Sequence, residues 1–300
     1  MMLVEYAALV DEALERALEE KPWSADGHEA PPFLRQAMRY SVLAGGKRLR
    51  PAMLLAAVDM LGGDRAEAMP YAAAIEMIHT YSLVHDDLPG MDDDKLRRGR
   101  PTNHVVFGVG QAILAGDALL NQAYELMLAH ALSDPARVAQ RTRAAWEIAR
   151  GAGVQGMIAG QSVDLSCERG AIDVEPEMLK YIHLHKTGSM FRGALRAACA
   201  LSGATDDEMR ALSRYASNFG MMFQAVDDLL DVEGEERTIG KTPGKDVASG
   251  KLTCVSVYGT GGTRALIIEL QQEAMDALLP FGERAAFFQD LLCEMMHRKA

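Results

Sequence analysis

Residues 69–94 read MPYAAAIEMIHTYSLVHDDLPGMDDD, an apolar run that ends in five carboxylates within nine residues, Asp86 to Asp94, with Pro89 among them. After Pro70 the run to Leu88 has no Gly or Pro and repeats apolar residues at helical spacing, which predicts a long helix that Pro89 ends. Asp86 and Asp87 then fall in its last turn, where the negative end of the dipole disfavours each carboxylate by ~0.3–1 kcal/mol. A solvated acidic turn is one reading. The other is a divalent cation: Mg2+ takes a few carboxylates, several waters and substrate phosphates, so the expected companion is a phosphate.

A second acidic stretch, Phe223 to Asp231, strengthens the cation reading. Asp227 and Asp231 lie one helical turn apart, with Asp228 beside them and Gln224 one turn earlier, and like charges at that spacing repel unless a cation sits between them. Two basic stretches accompany the acidic ones. Ala44 to Pro51 is a glycine turn carrying Lys47, Arg48 and Arg50 just before a helical run expected over Ala52–Leu61, a suitable place for an anion or a plain basic loop. Lys95 to His104 follows the first carboxylates directly and offers either charge compensation or a diphosphate clamp, since the arginine fork suits phosphate oxygens.

Composition sets the bounds. The chain has 49% hydrophobic residues, 18 Met and only 6% aromatics, which points to an all-α fold. A net charge of -11 argues against nucleic acid and against anionic lipid as partners. Cys167, Cys199, Cys254 and Cys293 are widely spaced, as expected for reduced cytosolic thiols. No secretory leader and no membrane-spanning run is expected, so the protein reads as soluble and cytoplasmic.

Helices are expected over 2–20, from Phe33, over Gln111–Leu132, over Pro135–Arg150, from after Gly153 through Gln161 and Asp164, and over Glu177–Ala200. His183 and His185 on the last of these read as ordinary surface residues. Two closing helices are expected over Thr263–Met296, around Pro280 to Gly282. Gly240-Lys241-Thr242 lacks the spacing and the preceding strand of a P-loop. No internal repeat is present, and 1–300 reads as one domain.

Taken together and in this order, Gly-Gly-Lys-Arg-Leu-Arg-Pro, the two Asp-rich motifs, Arg-Arg-Gly-Arg-Pro-Thr, Gly-Gln-x-x-Asp-Leu and Gly-Lys-x-Thr resemble the trans-isoprenyl diphosphate synthases, specifically the bacterial farnesyl diphosphate synthase branch. The resemblance covers about Pro32 to Thr253. It implies a single bundle of roughly ten or more helices around a central cavity, commonly a homodimer. The Asp motifs would face each other and hold a trinuclear Mg2+ cluster on the allylic diphosphate. Ionisation of the C–O bond and attack by isopentenyl diphosphate would then give head-to-tail condensation, with no protein nucleophile.

By the same resemblance, Lys47, Arg50, His79 and Arg98 clamp isopentenyl diphosphate. Arg97, Lys186, Lys241 and Lys251 contact the allylic diphosphate, dimethylallyl or geranyl. Asp86, Asp87, Asp92, Asp227, Asp228 and Asp231 are similar to the metal ligands, and Thr187 and Gln224 steady the carbocation. Tyr81 and Ser82, five and four residues before Asp86, occupy the positions that set product length, and an aromatic there resembles the farnesyl (C15) producers. A geranylgeranyl (C20) synthase is the alternative, followed by a terpene cyclase and an inactive partner subunit. After Thr253 this chain has Cys254-Val255 where the family commonly has Tyr-Pro.

Overall fold

The computed structural model describes residues 2–19, 30–168, 176–233 and 252–297. The expected loop after 20, the stretch around 169–175, Lys241, Lys251 and the basic end at 298–299 lie outside the described residues. Apart from one tiny hairpin, the regular elements of the described chain are all helices, which bears out the all-α expectation. Proximity along the backbone divides it into two compact units, Met1–Ala145 with Ala200–Ser202, and Trp146–Cys199 with Gly203–Ala300.

The first unit contains α1 (Leu3–Glu19), α2 (Pro32–Val42), α3 (Leu49–Met60), α4 (Arg65–Asp86), the strands β1 (Leu96–Arg97) and β2 (Arg100–Pro101), α5 (Asn103–Phe107) and α6 (Val109–Leu132). Helix α4 is its axis, packed against α3 and α6. Asp64 caps α4 by accepting from the Ala66 N–H at 2.8 Å, so the helix begins ahead of the expected Met69 and carries Pro70 inside it. Helix α3 also begins early, at Leu49 instead of Ala52. Pro51 does not delay it, because the N–H groups of a first turn have no helical partner to lose. Arg50 therefore belongs to the helix and not to the loop.

The second unit takes up α7 (Val138–Ala152), which starts in the first, and continues with α8 (Met157–Glu168), α9 (Pro176–Ile182), a π-helical segment (His183–Gly188), α10 (Ser189–Ser202) and α11 (Asp206–Glu233). It closes with α12 (Cys254–Leu278), a 3-10 turn (Leu279–Ala285) and α13 (Ala286–Met296). Tyr215, Phe219, Phe191 and Phe288 are fully buried and meet edge-on or stacked, 5.1–5.8 Å between centroids. The uninterrupted helix expected over Glu177–Ala200 is in fact broken by the π segment. The segment is closely packed on both sides: a Cβ on Gly160 would lie 2.1 Å from the Lys186 nitrogen, and one on Gly220 2.5 Å from the Gly188 Cα. No described helix is long and apolar enough to cross a membrane.

Candidate active site

In the first unit the break after α4 folds the acidic stretch back on itself. The Met91 N–H donates to the Leu88 carbonyl at 2.8 Å and the Asp92 N–H to the Asp86 carbonyl at 2.9 Å, so Asp92 returns to the helix end where Asp86 sits. Asp93, at φ 50, and Lys95 form an exposed ion pair of 2.6 Å, and the Asp94 carbonyl accepts from the Thr102 hydroxyl at 2.8 Å. The last two aspartates thus serve the loop. The backbone bond between Asp92 and Asp86 brings two carboxylate-bearing residues to the same helix end, and carboxylates are the donor type of a hard divalent cation.

Asp87 has a different fate. It is buried, and Arg97 donates to both of its oxygens through Nε at 2.9 and 3.0 Å and Nη2 at 2.7 Å. Burial raises the Asp87 pKa while Arg97 opposes the rise. Of the two roles expected from resemblance, Asp87 on metal and Arg97 on diphosphate, the structure engages each residue with the other. The hairpin makes this possible: its turn residues Arg98 and Gly99 have φ 53 and 71, the positive angles a two-residue turn requires, and it carries Arg97 and Arg98 back towards α4.

Arg98 lies across the glycine turn. A Cβ on Gly46 would be 2.7 Å from its guanidinium nitrogens, so glycine at that position leaves the room Arg98 occupies. His79, on α4, sits among these cations: burial, then Arg50, Arg98, Arg97 and Arg48, hold its pKa well below the usual imidazole value. A neutral histidine surrounded by arginines is a site prepared for an anion, because an arriving diphosphate would relieve their mutual repulsion. Lys47 is exposed beside the turn. Arg48 is spent on the fold: 2% exposed, it bonds Glu76 at 2.7 Å, Asp11 at 2.8 Å and the Val42 carbonyl at 2.7 Å.

Tyr81 is buried between α4 and α6. Its ring meets His85 edge-on at 5.7 Å, and burial, with Tyr124 and Asp86 nearby, pushes its pKa up to about 12. Ser82 turns back on its own helix and donates to the His79 carbonyl at 2.8 Å.

In the second unit the π segment presents Lys186 and Thr187. Lys186 donates to Asp164 at 2.6 Å, which gives the buried Asp164 of Gly-Gln-x-x-Asp-Leu its partner. Thr187 donates to Gln224 Oε1 at 3.2 Å, and Gln224 Nε2 donates to Asp228 Oδ1 at 3.0 Å, so Asp228 fixes which way the amide points. The other oxygen, Asp228 Oδ2, accepts the Cys254 N–H at 2.7 Å. That N–H is the first of α12, whose start is set by a capping box of Thr253 and Ser256, and the positive end of the helix dipole favours the carboxylate. Asp228, expected among the metal ligands, is thereby held on both oxygens by the protein. Asp227 and Asp231 occupy successive turns of the same helix.

His183 corrects the surface reading. It is 5% exposed, with Nε2 3.7 Å from Asp228 Oδ2 and Nδ1 3.8 Å from the Cys254 sulfur. Burial, aided by Lys186 and opposed by Asp164, pushes its pKa down to about 4. His185 is half-buried and stacks on Tyr181 at 3.9 Å. The available signal was the four-residue spacing of His183 and Thr187, which puts both near one face.

The parts now in place are those of an enzyme that manages diphosphates with carboxylates, arginines and oriented dipoles. A family model described as polyprenyl synthetase matches residues 31–275, and the chain belongs to that family, the trans-isoprenyl diphosphate synthases, as a prenyltransferase with their all-α fold. It is similar to the chloroplastic heterodimeric geranylgeranyl pyrophosphate synthase large subunit 1 of Arabidopsis thaliana, 44% identical over 280 residues, 93% of this chain and 73% of the relative. It is also similar to the chloroplastic geranylfarnesyl diphosphate synthase of Leucosceptrum canum, 43% identical over 281 residues, 93% and 74%. Among solved structures, a geranyltransferase from Legionella pneumophila superposes with TM-score 0.85 at 33% identity, covering 99% of this chain and 96% of that one. An FPP/GFPP synthase from Zymomonas mobilis gives 0.83 at 31%, covering 98% of each.

Proposed function

We propose that this prenyltransferase condenses isopentenyl diphosphate head-to-tail with dimethylallyl and then geranyl diphosphate, and stops at farnesyl diphosphate, C15. The condensation reading is carried by neutral His79 beside Arg50 and Arg98, with Arg98 lying across the Gly46 turn, a cationic recess suited to a second diphosphate that a terpene cyclase has no need to bind. Intact acidic motifs speak against an inactive partner subunit.

Mg2+, several ions per site by family habit, would be held by Asp86, Asp92, Asp227 and Asp231 and would stabilise the leaving diphosphate. Asp87 and Asp228 position their neighbours: Asp87 aims Arg97, and Asp228 orients the Gln224 amide and through it Thr187, whose oxygens face developing positive charge. Lys186, steadied by Asp164, contributes a cation to the allylic diphosphate, joined by Lys241 and Lys251. Lys47, Arg50, His79 and Arg98 hold isopentenyl diphosphate, and the departing diphosphate takes the proton.

Product length rests on Tyr81. It is buried against α6 beside Tyr124 and near Asp86, and a bulky aromatic there would close the pocket to a chain longer than C15. The second reading, a geranylgeranyl synthase, is favoured by the names of relatives at 46–48% identity in Arabidopsis thaliana. Sizing the dephosphorylated products of the wild type and Tyr81→Ala decides between them. C15 lengthening to C20 in the variant is expected, and an unchanged distribution would place the stop elsewhere.

A homodimer in the cytoplasm, acting as one functional domain over 1–300, completes the proposal. Val105, Val106, Val109, Ile113 and Leu114, all 41–52% exposed along α5 and α6, offer the apolar face a second copy would cover. All four cysteines are free thiols, and the family match runs unbroken through both units.

A further inference from the structure

The second unit contains a cavity of about 320 Å3 away from the motifs discussed so far, walled by Glu147, Arg150, Gln155, Ser189, Arg192 and Arg196. Its floor is a close crossing of α7 and α10 at two glycines. A Cβ on Gly151 would lie 2.8 Å from the Ser189 carbonyl, and one on Gly193 3.1 Å from the Glu147 carbonyl.

Three guanidinium groups share this space with one carboxylate. Glu147, 3% exposed, is taken by Arg196, which donates to both of its oxygens at 2.7 and 3.0 Å and reaches the Ser213 hydroxyl at 3.2 Å. Arg150 lies over the Trp146 ring, 4.7 Å from the centroid, and pairs with no carboxylate among the described residues. Half-buried Arg192 has neither a hydrogen bond nor an ion pair among them. Two positive charges are thus in surplus in a chain whose net charge is -11. Arg192 feels this: burial, then Arg196 and Arg150, lower its pKa, with Glu147 opposing. Arg150 is exposed, whereas half-buried Arg192 is partly desolvated, and a cation in that position is unfavourable unless an anion joins it.

We propose that this cavity is a second diphosphate site, in which the forks of Arg150 and Arg192 grip the phosphoryl oxygens and the Gln155 amide adds a neutral donor. No lining side chain is aliphatic or aromatic, so nothing there would cover a prenyl tail. The volume lies at the small end for ligand pockets, where roughly 300 Å3 is the lower bound. The occupant is therefore free inorganic diphosphate. That choice rests on the prenyl-transfer reading, since each condensation releases one, whereas the surplus charge stands without it. Ser189 connects the site to catalysis: its hydroxyl bonds the Gly151 carbonyl at 2.8 Å and also the His185 carbonyl, inside the π segment that carries Lys186 and Thr187.

The test is calorimetric titration of the full-length protein with inorganic diphosphate, without Mg2+ and without turnover, so that its outcome is independent of the product assignment. Wild type should show two classes of site. Arg192→Gln should weaken one class at least about tenfold, the scale of a lost charge-assisted contact, with Arg192→Lys retaining part of it. Arg98→Gln should weaken only the other class. Thermal unfolding of each variant checks that the fold is intact. Titration with geranyl diphosphate tests the source, and the Arg192-dependent class should take it poorly. Diphosphate isotherms for Arg192→Gln and for the Arg150→Gln/Arg192→Gln pair that match wild type would overturn the proposal. An Arg192-dependent class that binds only the prenyl ester would overturn it as well.

Discussion

Adjacent cations in Lys47-Arg48-Leu49-Arg50 do different work, and the difference is measurable. Arg48 joins Glu76 in a pair whose side chains are only 1% and 2% exposed. Removing one member of such a pair leaves the other charge buried, so Arg48→Ala should lower stability by about 3–5 kcal/mol in urea unfolding. Lys47→Ala, at an exposed position, should leave unfolding unchanged and raise KM for isopentenyl diphosphate. Equal unfolding midpoints for the two variants would contradict this division. The sequence could not separate the two residues, because Asp11 and Glu76 are brought to Arg48 only by packing of α1 and α4 on α3. The same limit hid the Asp87–Arg97 pair, which depends on a turn with two positive φ angles. By contrast, the return of Asp92 towards Asp86 was legible, since Pro89 forces the helix to stop and the chain to turn within a few residues.

At the scale of elements, long apolar periodicity made α4 and α6 readable, and of α11 only the turn spacing of Gln224, Asp227 and Asp231 was, whereas the π segment left no local signature. Its packing partners are α8 at Gly160 and α11 at Gly220, contacts between residues far apart in the chain. Backbone lies where a methyl group at Gly160 would go, so no flexible side chain can yield. Gly160→Ala should therefore displace the Lys186 backbone, cost about 1–3 kcal/mol of stability and reduce kcat more than it raises KM for isopentenyl diphosphate. Steady-state kinetics beside a denaturation curve checks both parts. A variant with wild-type kcat would mean that the position of Lys186 matters less than its charge. Helix starts were misjudged for a simpler reason: Pro51 and Pro176 sit in first turns, where proline is tolerated and does not mark a boundary.

For the whole molecule, three imidazoles in separate places are held neutral. His79 and His130 are lowered by burial and nearby arginines, and His183 is pushed down to about 4. Between those values and the unfolded value near 6.5 the unfolded chain binds more protons than the native one, so stability rises with pH in that window and is lost as pH falls. His183, held down to about 4 by burial, is protonated in the unfolded chain and neutral in the native one between about 4 and 6.5, so acidification through that window works against the fold. Metal-free protein should show a clearly lower urea midpoint at pH 5 than at pH 7, and equal midpoints would mean that these histidines are accessible to protons.

The central claim is that two acidic motifs and a cationic recess serve one reaction, elongation of an allylic diphosphate by isopentenyl diphosphate. Its most direct test incubates the pure protein with dimethylallyl diphosphate, labelled isopentenyl diphosphate and Mg2+, and separates the dephosphorylated products by chain length. Label in longer linear prenyl alcohols, chiefly C15 and absent when Mg2+ is chelated, is the predicted result. Label remaining wholly in isopentenol, or an allylic substrate that is hydrolysed or cyclised without elongation, would contradict it.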